Sequence, residues 1–115
     1  MQGFTINSHF VGKDPIVRAI YDRLLNTIKR FGPIVEDPKK TSLHIVNRTA
    51  LAGVATRKGH VILTIKSDRN LASPRIHKSE QASARRFHHE VKLTSPVDVD
   101  DELAGWLKAA YLLSA

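Results

Sequence analysis

The sequence predicts an α+β fold: an antiparallel sheet of about five strands with an N-terminal and a C-terminal helix packed on one face. Three observations carry this. Apolar residues recur at helical spacing near each end of the chain. Between them, runs with strand character follow one another without an intervening helix. Residues 41–66 contain three short apolar runs, TSLHIVN, ALAGVAT and HVILTIK, parted by polar turns, which is the pattern of an antiparallel meander. At 115 residues the chain has the length of a single domain, 1–115, with a lead-in over 1–13 and no internal linker or repeat.

The first helix is expected over 14–31. Asp14 suits the N-cap, and Pro15 follows where its missing N–H costs nothing. Val17, Ile20, Tyr21, Leu24, Ile28 and Phe31 recur at steps of three and four, and Gly32-Pro33 ends the run. In the lead-in, Phe4, Ile6, Phe10 and Val11 are the candidates to dock on the domain.

The sheet is expected over 34–94. A short strand at 34–37 precedes the meander. Gly53 inside the second run signals a bulge or a close approach. The run 60–66 is apolar on both parities, which predicts a central strand covered on both faces. Residues 75–78 are expected to pair briefly, and 79–84 read as a turn or mobile loop. Residues 86–94 alternate cleanly, with Phe87, His89, Val91 and Leu93 on one parity and His88, Glu90 and Lys92 on the other. The last helix, 99–113, is expected to start from Asp98 as its cap, with Asp100, Asp101 and Glu102 in the first turn, where the helix dipole favours negative charge.

Composition narrows the function classes. There is no cysteine, so a disulfide framework and a thiolate metal site are both excluded. The N-terminus lacks the basic and apolar regions of a signal peptide, and no run approaches the roughly 20 apolar residues of a membrane span. A soluble cytoplasmic protein without a membrane partner is the expectation. The net charge of +7 is uneven: residues 57–92 carry nine basic and three acidic side chains, residues 93–115 one and four. The acidic end is explained by the helix start, and the basic middle points to an anionic partner.

The residues SHFVGKDPIVRAIYDRLLNTIKRFGPI, DPKKTSLHIVNRTALAGVATRKGHVILTI and RFHHEVKLTSPVDVDDELAGWLKAAY resemble the small bacterial family catalogued as domain of unknown function 5655. The likeness spans roughly 8–113. Its markers are His9-Phe10, Gly12 and Lys13 ahead of a helix, the P-x-K-T turn at Pro38–Thr41, the basic hairpin tip Arg57-Lys58, the pair His88-His89 and the terminal Ala110-Tyr111. The family pattern has an aromatic near Leu51 or Ala52 and another before P-x-K-T, where this chain has Asp37. The resemblance implies the fold and a bacterial setting, and leaves this copy poorly equipped for binding by stacking. It implies no activity.

No catalytic constellation is visible: there is no G-x-S-x-G, no Gly-rich phosphate loop and no spaced carboxylate pair. No cofactor or metal is expected, because adjacent strand residues such as His88 and His89 point to opposite faces. His89 lies on the apolar parity of its strand and reads first as a core imidazole with a satisfied hydrogen bond; the alternative makes it the candidate groove-lining residue. The candidate anion site is Lys39, Lys40, Arg57, Lys58, Arg75 and Arg86. The first four are expected at one end of the sheet, because an antiparallel meander brings the start of its first strand beside the turn after its second. Three classes follow. The first is a non-enzymatic binding module for an anionic small molecule, protein or nucleic acid. The others are a small enzyme with a His/Arg/Lys-lined groove, and a homodimerisation domain.

Overall fold

The structure, a computed structural model, describes residues 4–115; residues 1–3 of the expected lead-in lie outside it. Helix α1 is Pro15–Lys29, followed by strands β1 Val35–Pro38, β2 Leu43–Val46, β3 Ala50–Thr56, β4 Val61–Ser67, β5 Ile76–Ser83 and β6 Arg86–Leu93, and helix α2 Asp101–Leu113. The six strands form one antiparallel sheet in the order β1-β2-β3-β4-β6-β5. Both helices contact the sheet. The expected architecture is present with six strands rather than about five. The extra one is β5, whose residues 79–83 were expected in a turn. Seven of its eight residues are exposed, so it carries no apolar alternation to reveal it.

Helix α1 starts where the sequence says. Asp14 Oδ1 accepts the Ile16 N–H at 2.9 Å, and Val17, Ile20, Tyr21, Leu24 and Ile28 are fully buried. Each such aliphatic side chain contributes about 1.5–3 kcal/mol by leaving water. The Tyr21 hydroxyl donates to Glu36 Oε1 at 2.7 Å; burial first and Glu36 second raise its pKa far above the ordinary value. Gly32 has φ +151°, a conformation that favours glycine, and a Cβ there would collide with the Tyr111 hydroxyl.

The lead-in is pinned by its polar groups. His9 Nε2 meets the Lys39 carbonyl at 2.8 Å, Thr56 Oγ1 donates to the His9 carbonyl at 2.6 Å, and Lys13 Nζ donates to the same carbonyl at 2.7 Å. Phe10 packs on Tyr21 at 5.3 Å, under the Arg18 guanidinium. Phe4 and Val11 remain 54% and 76% exposed, so of the four docking candidates only Ile6 and Phe10 pack on the core.

The helix-covered face of the sheet carries Leu43, Ile45, Val54, Val61, Leu63, Ile65, Val91 and Leu93, all buried. The opposite face is open. Strand β4 is central as expected, but it is buried on one parity only: Ile62, Thr64 and Lys66 are half-buried on the open side. Its apolar second parity reflects a floor rather than a second covering layer. The irregularity anticipated at Gly53 lies instead where Ile45 pairs with Ala52 and Val46 with Ala50, which leaves Leu51 as the extra residue. At the C-terminal end the cap of α2 is Asp100, whose Oδ1 accepts the Leu103 N–H, not Asp98. Ser95 caps a preceding 3-10 turn, and Asp98 closes its capping box with a carboxylate that accepts the Thr94 and Ser95 N–H groups.

Candidate functional site

Cross-strand register brings the open-face residues into rows. One row runs His44 (β2), Gly53 (β3), Thr64 (β4), Glu90 (β6) and Lys78 (β5). The next contains Lys66, His88 and Glu80. Strand β3 contributes Ala50, Gly53 and Ala55 to this side, so the sheet surface sinks between its neighbours. The result is a groove of about 310 Å³ whose floor is these small residues and whose walls include Ser42, His44, Thr64, Lys66 and His88. None of its lining residues is acidic. A smaller recess of about 100 Å³ continues it over Thr64, His88, Glu90, Lys78 and Glu80.

Lys66 dominates the electrostatics of the groove. Its Nζ donates to Thr49 Oγ1 and to Ser114 Oγ, each at 2.9 Å, and no carboxylate lies within ion-pair distance among the described residues. Burial, and then the positive charge of Arg86, lower its pKa. An ammonium has three donors, so two neutral acceptors leave one N–H for a ligand. Ser114 beside it is 1% exposed, which keeps that hydroxyl from any substrate and argues against a Ser–Lys nucleophile.

His89 takes the core-imidazole reading rather than the groove-lining one: it is on the helix-covered face. It is fully buried and lines none of the recesses described here. Nδ1 meets Ser79 Oγ at 2.8 Å, while Nε2 lies 3.1 Å from the Arg69 carbonyl and 3.3 Å from the Leu71 N–H. Either tautomer is satisfied: Nε2 donates to Arg69 or accepts from Leu71, and the Ser79 hydroxyl rotates to match. His89 therefore fastens the β4–β5 loop to the sheet, with Phe87 stacked on it. The imidazoles that face the groove are His44 and His88.

The six expected anion-binding residues separate. Lys39 and Lys40, in the β1–β2 turn, and Arg57 and Lys58, in the β3–β4 turn, do share one end of the sheet, since Leu43 pairs with Val54. Lys39 is compensated by Asp37 at 2.9 Å; Lys40, Arg57 and Lys58 are exposed and make no ion pair among the described residues. His60 registers the positive field there: burial, then Lys92 and Arg57, lower its pKa. Arg75 is removed from the set. Its guanidinium bonds Asp100 at 2.8 Å, Glu102 at 3.2 Å and the Asp98 carbonyl, and so ties β5 to the start of α2. Arg86 is apart from the four turn cations: the β5–β6 turn lies at the opposite end of the sheet, where its charge reaches Lys66 instead.

Two larger recesses lack convergent groups of one sign. One, beside α1, mixes Arg18, Asp22, Lys29 and Glu36; the other, along α2, is a shallow apolar cleft around Leu71, Trp106 and Leu112. Among the described residues no three potential metal ligands gather, and no helix is long and apolar enough to cross a membrane.

This is a helix-backed antiparallel sheet with one open, concave face. The chain matches the family described as Domain of unknown function (DUF5655) over residues 6–114, and it belongs to that family. No curated protein and no solved structure matches it. The markers of the earlier resemblance now have positions: His9, Phe10 and Lys13 fasten the lead-in, Tyr111 seats against Gly32, and His88-His89 splits between the two faces.

Proposed function

We infer that the protein is a non-enzymatic binding module that takes a small anionic molecule onto the open face of its sheet. The observation that carries this is the groove of about 310 Å³ walled by His44, Lys66 and His88, floored by Ala50, Gly53 and Ala55, and free of lining carboxylates. Its size is at the lower end of small-ligand sites, and an apolar floor with a few convergent polar groups is how such sites combine affinity with orientation. The acid group of the ligand bonds to Lys66, and its body lies on the small-residue floor. No Phe, Tyr or Trp lines the groove, so shape and charge hold the ligand, with only the imidazoles of His44 and His88 to stack on it.

The test is a titration of isotope-labelled protein with inorganic phosphate and a panel of small carboxylates, followed by amide shifts. Saturable shifts are expected at Gly53, Ala55 and Thr64. Lys66→Met keeps the apolar stem and is expected to weaken binding about tenfold, the 1.4 kcal/mol at the lower end of a charge-assisted hydrogen bond. The absence of saturable shifts with every member of the panel would exclude the reading.

The exposed cations Lys40, Arg57 and Lys58 support a second reading, a polyanionic macromolecule reaching across the turns. It is distinguished by salt: a polyanion is lost steeply as counterions compete, and its affinity falls on Arg57→Ala and Lys58→Ala but not on Lys66→Met.

A further inference from the structure

Strand β5 leaves one backbone edge of the sheet open. It spans eight residues without proline or glycine and is hydrogen-bonded to β6 alone. An edge of this kind is a template for another strand unless something blunts it. Two bulges flank its middle. The ladder passes from Ile76 to Lys78 and from Gln81 to Ser83, leaving a regular stretch over residues 78–81.

We propose that this edge pairs with the same edge of a second copy of the chain, antiparallel, about a two-fold axis through Ser79. In an antiparallel pair, directly opposite residues share a face. With the axis at Ser79, Lys78 stands opposite Glu80 of the second copy, and Glu80 opposite its Lys78. Both side chains are on the open face, since within one copy Lys78 pairs with Glu90 and Glu80 with His88. The charges then alternate across the junction: Glu90, Lys78, then Glu80 and His88 of the other copy, and the same in reverse on the next row. Neighbouring same-face registers fail. An axis at Lys78 sets the two Lys78 side chains against each other, and an axis at Glu80 does so for the carboxylates. The edge is thus self-complementary in one register. An edge lysine ordinarily discourages pairing; here that register supplies its counter-ion.

The geometry fixes the character of the assembly. The regular ladder about this axis is three residues per copy, Lys78 to Glu80, and exposed, so the dimer is weak and concentration-dependent. The axis is perpendicular to the sheet, so the two open faces lie on the same side of one twelve-stranded sheet, each with its own groove.

The test is sedimentation of the full chain from low micromolar to millimolar concentration, with Lys78→Glu and Glu80→Lys measured separately and mixed. Wild type is expected to shift toward dimer with concentration. Each variant alone, which sets like charges opposite each other twice, is expected to weaken association at least tenfold. The equimolar mixture pairs opposite charges twice and is expected to recover it. Recovery on mixing also shows that both variants are folded. Three results would overturn the proposal: a wild type that stays monomeric at millimolar concentration, variants that associate as wild type does, or a mixture that fails to recover.

Discussion

Gly53 separates the architectural reading of this sheet from the functional one. It sits mid-strand in β3 between His44 and Thr64. A Cβ built on it meets only His44 Cδ2, at 3.8 Å, an ordinary contact. Glycine in a strand interior costs about 0.5–1 kcal/mol relative to alanine through lost chain entropy, and β-branched residues gain up to about 1 kcal/mol more in a pleated setting. Nothing in the fold requires the glycine, yet its absent side chain forms the groove floor. Gly53→Val is therefore expected to stabilise the protein by about 0.5–1.5 kcal/mol. That is a rise in Tm of about 2–6 °C, since a domain slightly above 100 residues shifts about 4 °C per kcal/mol. The valine methyls project into the groove, so affinity for whichever carboxylate or phosphate gives saturable shifts is expected to fall more than tenfold. Thermal melts followed by circular dichroism read the first effect and amide-shift titration the second. A destabilised variant would make the glycine architectural, and one that binds as wild type does would place the ligand elsewhere; either result refutes a groove floored by Gly53.

Other perturbations probe the frame. Gly32→Ala combines a disfavoured backbone, about 1–3 kcal/mol, with displacement of the Tyr111 hydroxyl from the Pro33 carbonyl, about 0.5–1.5 kcal/mol. A loss of about 2–4 kcal/mol in urea unfolding is expected, smaller when measured in a Tyr111→Phe background. Arg75→Met keeps the stem beside Trp106 but loses the bonds to Asp98, Asp100 and Glu102. Because both carboxylates are half exposed, the cost is held to about 1–2 kcal/mol and should shrink in high salt. The His60 pKa is lowered in the folded state, so below about pH 6.5 the unfolded chain takes up a proton that the folded one resists. Stability is then full above that pH and declines as pH falls through the folded value. His60→Gln is expected to flatten that part of a stability–pH profile.

The elements were legible where burial left a period in the sequence. Helix α1 and strand β6 have one apolar face and one polar face, and both were read with their sides correctly assigned. Strand β5 was read only over its first residues, because an exposed edge needs no apolar residue and its polar run over 79–83 looks like a turn. His89 shows the limit of parity: it predicts a face, and it did place His89 with Phe87 and Val91, but the β4–β5 loop that satisfies the imidazole is specified by backbone groups of Arg69 and Leu71. Arg75 could not be told from Arg57 by composition. Its partners lie on α2, 25 and 27 residues away. The groove did leave a signal that went unused: His44 and His88 occupy the polar parity of their strands, and the small residues of Ala50–Ala55 supply no wall between them.

That pattern locates the difference between the two faces in polar satisfaction as well as in hydrophobicity. On the helix side, polar groups at the core's margin are paired: His89 with Ser79 and the loop, Tyr21 with Glu36, Tyr111 with Pro33. Among the described residues, no buried side-chain nitrogen or oxygen lacks a partner. Groups fixed in this way hold the fold and have little left to offer a ligand. On the open side, Lys66 has only neutral hydroxyls against its charge, over a floor that several small side chains keep low. A lysine held in place but not neutralised, beside a surface able to accept an apolar body, is a preorganised cation; the ordering cost of binding falls mainly on the ligand. On the proposed function, the ligand therefore belongs on the open face, and the sheet-end cations, exposed on their turns, would act over longer range and be the first to be screened by salt.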